Sequence, residues 1–550
     1  MLQTWASKDR NDYTLQPLLD DAHHLSTGRS KGGAWYLTPN GNHTSALIAA
    51  AAASSGLKTL VFVQSTVLAQ ASVKNFPNLF DARKIKLTED ELELHRLAAE
   101  EMGGADHCYM TPKANGTFRV GAASHHALLL REERLLHESL FKRKDGIDVL
   151  FATSTLAQGM NLPSEVVIIS GDSRFDPSVD KMAQLEAHEL LNAAGRAGRA
   201  GESSQGFVLV VPSRVVEFDN QSNLINSHWL TLQSIFAQSD QCLVIDDPTT
   251  ALLDKIHAGA FDQGMPAYFL SRLPASDENG TDAPIRNVIT RSFAAFRARQ
   301  NGDPQWVESR IAAAFAARKN TEPEEGDEWL DRVSGLTGVS VDILHELSNL
   351  FAAPENFQTT EVAINALMDW LKANPAKLLE LVRPENIEGL FTGDYKKLAS
   401  DQERGAFALP IIIDMLRKWL ASLPLNVIEA SHPKEDAVKC EYSRHFVLRI
   451  VPDLAFVAGL PARLLAAQND GDIPIPITLA TLGSCVREGC NSPESLAARL
   501  ASGRSVSRVA ARAHYEELVP FFKAGQIDET FEQTMDRYRA ASTVILFSKI

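Results

Sequence analysis

Cysteine, aromatic residues and basic charge are all scarce in this chain, and each shortage removes a class of protein. Five cysteines in 550 residues, scattered apart from Cys485 and Cys490, do not make a disulfide framework. They also lack a second pair at zinc-site spacing, so no metal centre is expected. No apolar run reads as long enough to span a membrane, and no basic-then-apolar leader opens the sequence. A reducing, cytoplasmic setting with no membrane partner is the expectation. Lys and Arg total 54 against 69 Asp and Glu, a formal net charge of −15. That argues against a nonspecific basic coat for nucleic acid. It leaves room for a narrow local groove, where binding would be modest and salt-sensitive.

What is present is a soluble, globular composition in a chain too long for one core, so roughly three or four domains are expected. Residues 1–30 are polar and read as a linker or remnant. Residues 31–230 alternate short apolar runs with helical patterns, as an α/β domain does. From 240 onward the pattern is mostly helical to Ile550. It is broken by a solvated stretch at Ala275–Asp282 and an acidic linker at Asn320–Asp327. Between Trp329 and Phe351, Gly338 can end one helix and Ser340 can cap the next, a helix-turn-helix pair better suited to packing than to DNA readout.

The densest chemistry lies between Asp148 and Gly201. Val149-Leu150-Phe151-Ala152 reads as a buried parallel strand. Thr153, Ser154 and Thr155 follow at its C-terminal end, where open α/β sheets place ligand contacts. Small hydroxyls there can bond a phosphate oxygen without blocking it. Gly159 permits a tight backbone path, and Pro163 stops regular structure. Further on, helical spacing over Glu186–Ala194 leads into Asn192-Ala193-Ala194-Gly195-Arg196-Ala197-Gly198-Arg199. Two glycines there bracket two arginines. A guanidinium can bridge two phosphate oxygens and stabilise the charge that develops as a γ-phosphate leaves.

Together these blocks resemble motifs V and VI of superfamily 2 DExH helicases, most closely the Ski-type branch. Two upstream segments fall in helicase order. Thr59-Leu60-Val61-Phe62-Val63-Gln64-Ser65 looks like motif IV. Val120-Gly121-Ala122-Ala123-Ser124-His125-His126, followed by the charged helix that starts at Arg131, looks like motif IVa. Gln205–Pro212 reads as a closing strand. The resemblance covers about residues 30–215. It implies a second RecA-like domain over 31–230, a winged-helix-like domain over 240–300 and a helical C-terminal region over 327–550.

The same resemblance implies roles. Arg196 and Arg199 would reach the γ-phosphate of ATP, with Gly159, Asn192 and Gly195 beside the nucleotide. The family has Gln where this chain has Asn192, whose shorter amide reaches less far. Gln64, Ser65, His126 and Thr155 would hold a single strand. Between the motifs, Asp176-Pro177-Ser178 supplies turn chemistry, and Phe175 would be the wedge of a strand-splitting hairpin; the alternative is a plain surface loop. Arg504, Arg508 and Arg512, spaced by four, would line one helix face along the emerging strand. The alternative is a solvated face answered by Glu516 and Glu517.

No Gly-x-x-x-x-Gly-Lys-Ser/Thr loop occurs in the 550 residues. Gly56-Leu57-Lys58-Thr59 leads into a strand rather than opening a helix, and Asp20-Asp21-Ala22-His23 lacks a strand before it. ATP and Mg²⁺ would therefore need a first motor domain, supplied in cis or in trans. The expected partners are that domain and DNA or RNA, single-stranded or at a junction. A non-catalytic nucleic-acid-binding or regulatory protein on a helicase scaffold is the alternative.

Overall fold

A computed structural model describes residues 26–29, 35–38, 40–76, 79–80, 84–113, 115–153, 162, 164–171, 173–176, 181–184, 206–212, 248–261, 264–273, 281–320, 328–391, 393–468, 475–522, 525 and 529–548. The chain divides into two units. One comprises Met1–Ala99 with Gly104–Val244, the other Glu100–Gly103 with Ile245–Ile550.

In the first unit the strands are β1 (Ser26–Arg29), β2 (Trp35–Thr38), β3 (Thr59–Phe62), β4 (Lys84–Lys86), β5 (Thr117–Arg119), β6 (Ala122–His125), β7 (Val149–Ala152), β8 (Val166–Ser170), β9 (Ser173–Asp176), β10 (Lys181–Gln184) and β11 (Phe207–Val211). The helices are α1 (Gly41–Ser54), α2 (Thr66–Asn75), α3 (Glu89–Met102, of which Glu100–Met102 fall in the second unit) and α4 (Arg131–Lys142). Five strands form one all-parallel sheet in the order β11-β8-β3-β7-β6. Three antiparallel pairs stand apart from it: β1 with β2, β4 with β5, and β9 with β10.

The central strands are buried at every position, and apolar apart from Thr59 and Ser170, because both sheet faces are covered. Leu60, Phe62, Leu150, Ala152, Val167 and Ile169 share one core with Leu136, Leu140 and Phe141 of α4. Val61, Val149, Phe151, Val166 and Ile168 share the other with α1 and α2, among them Ala46, Ala49, Ala50, Ala53 and Ala69. Three of these four helices start on a side-chain cap. Ser65 Oγ accepts from the Leu68 amide at 3.2 Å ahead of α2. Thr88 and Glu91 exchange backbone and side-chain bonds at the start of α3. Glu133 takes the Leu130 amide at 3.0 Å at the start of α4.

This RecA-like α/β unit is followed by a largely helical region. Its first helices are α5 (Pro248–His257), α6 (Gly264–Arg272), α7 (Ala283–Thr290), α8 (Phe293–Gln300), α9 (Pro304–Asn320), α10 (Glu328–Thr337) and α11 (Val341–Leu350). The first five share one core, which includes Leu253, Ile256, Leu270, Ile285, Ile289, Ala295 and Ile311. No strand occurs among the described residues of 248–320, so the winged-helix expectation meets only helices there. The helix-turn-helix reading finds its two helices in α10 and α11. Gly338 turns between them at φ +76, a left-handed conformation that suits glycine, and Ser340 sits at the N-cap. The solvated stretch 275–282 and the acidic linker 320–327 lie almost wholly outside the described residues.

One expectation is corrected here. The helical run Glu441–Gln468 is long and apolar enough to cross a membrane, yet 56% of its most apolar window is buried inside the protein. Polar ties run along it. Asp453 accepts from Arg383 and Asn386, each at 2.9 Å, and His445 bonds the Asn386 carbonyl at 2.7 Å. That is the pattern of a core helix.

Candidate nucleotide and nucleic-acid interface

A parallel sheet has two unlike edges. At the N-terminal edge Lys58 is committed to structure. Its ammonium donates to the carbonyls of Arg143, at 2.9 Å, and Ile147, and lies 3.6 Å from the Asp148 carboxylate. Its amide donates to Glu165 at 2.7 Å. Lys58 therefore ties the starts of β3, β7 and β8 together, at the end opposite to where such sheets bind ligands.

The C-terminal edge gathers the polar residues that follow each strand. Past β3, the Gln64 amide nitrogen donates to the Ser170 carbonyl and, at 3.3 Å, to that of Gly171, which brace the exit of β8. What Gln64 can offer a strand is thus its acceptor oxygen. Ser65 is half-buried, with its hydroxyl engaged at the α2 cap. Past β7, Thr153 is buried, and its amide donates to the His125 carbonyl at 3.1 Å. Ser170 Oγ donates to Asn42 Oδ1 at 3.2 Å, bringing the start of α1 to the same edge.

His126 is corrected as a strand contact. It is 1% exposed, its Nδ1 accepts from the Leu128 amide at 3.3 Å, and its ring meets Tyr109 edge-on at 5.1 Å. Its companion His125 is also buried and bonds Glu138 at 3.1 Å. Burial opposes ionisation of Glu138, but the His125 bond and the charges of His125, Lys142 and Arg134 outweigh it. The carboxyl is held below its ordinary value. The two histidines thus set the turn between β6 and α4.

In the interval between motifs V and VI, β9 and β10 pair antiparallel, with Phe175 opposite Met182 in register; residues 177–180, which join them, lie outside the described residues. Thr155, Gly159, Asn192, Gly195, Arg196 and Arg199 lie outside the described residues. Asn42, Ser170 and Gly171 were missed from the sequence. Their signal was the run Val166-Val167-Ile168-Ile169 ending in Ser170-Gly171, the same strand-then-polar pattern that marked Gln64 and Ser65.

The arginine stripe is corrected in the second unit. The helix there begins at Arg508, and Arg504 lies in the preceding 3-10 turn Gly503–Ser505, so the three do not share one helix face. Arg508 is 3% exposed. Its guanidinium bonds Glu101 at 2.8 Å and the carbonyls of Trp419 and Leu423 at 3.2 and 2.7 Å, and stacks 4.0 Å over the Trp419 ring. Arg512 pairs with Glu516 at 2.8 Å and bonds Asn491 at 2.7 Å.

A five-stranded parallel sheet flanked by helices, with strand-end polar groups gathered at one edge, is a RecA-like architecture. Residues 104–201 match the helicase conserved C-terminal domain, and over part of its length the chain is similar to Ski-type helicases. It is 37% identical over 94 residues to the RQC trigger complex helicase SLH1 of Saccharomyces cerevisiae, which covers 17% of this chain and 5% of that protein. It is 41% identical over 93 residues to the U5 small nuclear ribonucleoprotein 200 kDa helicase of Homo sapiens, 17% of this chain and 4% of that protein. With the ATP-dependent DNA helicase Hel308 of Thermoplasma volcanium it shares 29% over 157 residues, 28% of this chain and 20% of the relative. The alignments therefore take in a small part of each relative.

Proposed function

We propose that the first unit serves as the second RecA-like domain of an ATP-driven DExH-type translocase on nucleic acid. The observation that supports this best is positional. The motif V strand β7 lies in a parallel sheet beside β3, and the residues ending both strands, Thr153 and Gln64, stand at the same C-terminal edge. ATP and Mg²⁺ would be held chiefly by a first motor domain carrying a phosphate loop. Arg196 and Arg199 would stabilise charge growing on the departing γ-phosphate, with Gly159, Asn192 and Gly195 beside the nucleotide. Gln64, Ser65 and Thr155 would follow the backbone of a single strand, and Phe175 on the β9–β10 hairpin would part the duplex at a junction.

The test supplies a first motor domain to the 550-residue chain, fused or in trans, and measures ATP turnover with and without single-stranded oligonucleotide. The chain alone should turn over no ATP. The completed motor should be stimulated by the strand. Arg196→Ala or Arg199→Ala should lower kcat on the order of 10³-fold with little change in ATP affinity. Equal turnover by wild type and both variants rejects the assignment.

A further inference from the structure

The residues Ala283–Gly302 contain four arginines and neither Asp nor Glu, inside a chain of formal net charge −15. They fold as α7, a two-residue turn and α8. The inward positions Ile285, Ile289, Ala294 and Ala295 are buried in the shared core. The outward positions are of another kind. Phe293 is 41% and Phe296 48% exposed, and their rings stack 6.1 Å apart at 22°. Arg291, Arg297 and Arg299 are exposed around them, with the Arg297 guanidinium 5.7 Å over the Phe293 ring. Arg286 is already spent on Asp282 and Glu308. The other three have no carboxylate partner among the described residues; Arg299 donates to the Thr290 carbonyl at 2.7 Å.

Two exposed rings at i and i+3 do nothing for the fold that smaller polar residues would not do with less apolar surface in water. Exposed aromatic rings flanked by guanidinium groups without a carboxylate partner carry the two elements that hold an unpaired strand: rings on which bases stack, and cations for the phosphates beside them. A duplex keeps its bases stacked inside and offers the rings nothing. We propose that the α7–α8 face is a stacking platform for single-stranded nucleic acid, with bases on Phe293 and Phe296 and phosphates on Arg291 and Arg297. The site lies outside residues 104–201, in the other unit, and stands or falls independently of the motor reading.

The experiment measures binding of the full chain to fluorescein-labelled oligo-dT, oligo-U and a blunt duplex of equal length by anisotropy, across a salt series. Wild type should favour both single strands over the duplex. F293A/F296A and F293L/F296L should each weaken single-strand binding about tenfold or more, since leucine keeps apolar area but loses the stacking face. R291Q/R297Q should flatten the salt slope by about 1.4, at roughly 0.7 per lost phosphate contact. All four positions are exposed, so the variants should keep the wild-type melting curve, which far-UV circular dichroism verifies. Wild-type affinity in both phenylalanine variants overturns the proposal. So does a leucine variant that binds like wild type, which would mark an apolar protein-docking face. Equal affinity for poly-glutamate overturns it too, as does no oligonucleotide binding at all.

Discussion

Replacing Arg508 by alanine separates two physical pictures of the same residue. A phosphate contact on an exposed helix face would be lost with little effect on stability. The structure instead places the guanidinium among Glu101, two backbone carbonyls and the Trp419 ring, with 3% of the residue exposed. Removing it leaves the Trp419 and Leu423 carbonyls without this donor and Glu101, 15% exposed at its side chain, without its countercharge. Orphaned buried acceptors cost about 1–3 kcal/mol each, and breaking a buried ion pair about 3–5 kcal/mol. Because Glu101 keeps some contact with water and the Trp419 carbonyl still accepts from the Ser422 amide, the low ends for the Leu423 carbonyl and the ion pair apply, about 4 kcal/mol in all. For a unit of this size that corresponds to roughly 8 °C in Tm, at about 2 °C per kcal/mol. Thermal unfolding of the full chain, followed by circular dichroism, reads the shift. Arg504→Ala, in an exposed turn, should move Tm by no more than about 1 °C. An Arg508→Ala protein that melts with wild type and binds single strands more weakly would refute the clamp and restore the stripe.

Gly405→Ala should destabilise, although alanine ordinarily improves a helix by about 1 kcal/mol. A Cβ at Gly405, inside the helix Asp401–Leu420, would lie 1.9 Å from the Pro375 carbonyl oxygen, so about 1–3 kcal/mol of overpacking should win. A higher urea midpoint for the variant would contradict this. The Glu138 carboxyl is held below its ordinary value of 4.5, so its contribution is present above that value and is lost as pH falls through the lower folded one. Glu138→Gln should therefore be less stable than wild type at pH 7, with the gap narrowing as pH falls below 4.5; a stability gap that stays constant as the pH is lowered would reject the sign.

The sheet was legible where the sequence pairs an apolar run with a polar exit. β3, β7 and β11 follow from that pattern, and so do the turn after β6 and the start of α4. β8 was missed, because Pro163 drew attention as a stop and the run that follows it was not read as a strand. The arginine stripe misled because spacing by four implies one face only if the helix has already begun, and it begins at Arg508 itself. Charge is also a poor guide to exposure when carbonyls and a carboxylate can satisfy a guanidinium inside the protein. His126 misled for a related reason: its residue type suits phosphate or metal, but its neighbours Tyr109, Gln70 and the Leu128 amide absorb the ring. The platform on α7–α8 could have been found from sequence, since a twenty-residue acid-free stretch with two phenylalanines is conspicuous in an acidic chain.

β3 sits at the middle of the sheet, yet it leaves the ribosome well before either neighbour. Its flanking residue Lys58 waits 89 residues for Ile147 and 107 for Glu165. During synthesis, Thr59–Phe62 is therefore a strand that precedes both its sheet partners, and α1 and α2, the helices on either side of it in sequence, are early cover for it. The alanines of α1, whose small side chains let the helix lie close on the strand, then act first as a guard for a waiting template and only later as one layer of the finished sheet. The last parallel partners to arrive bring the β8 and β11 exits with them, so the polar C-terminal edge is completed only once the whole sheet has assembled.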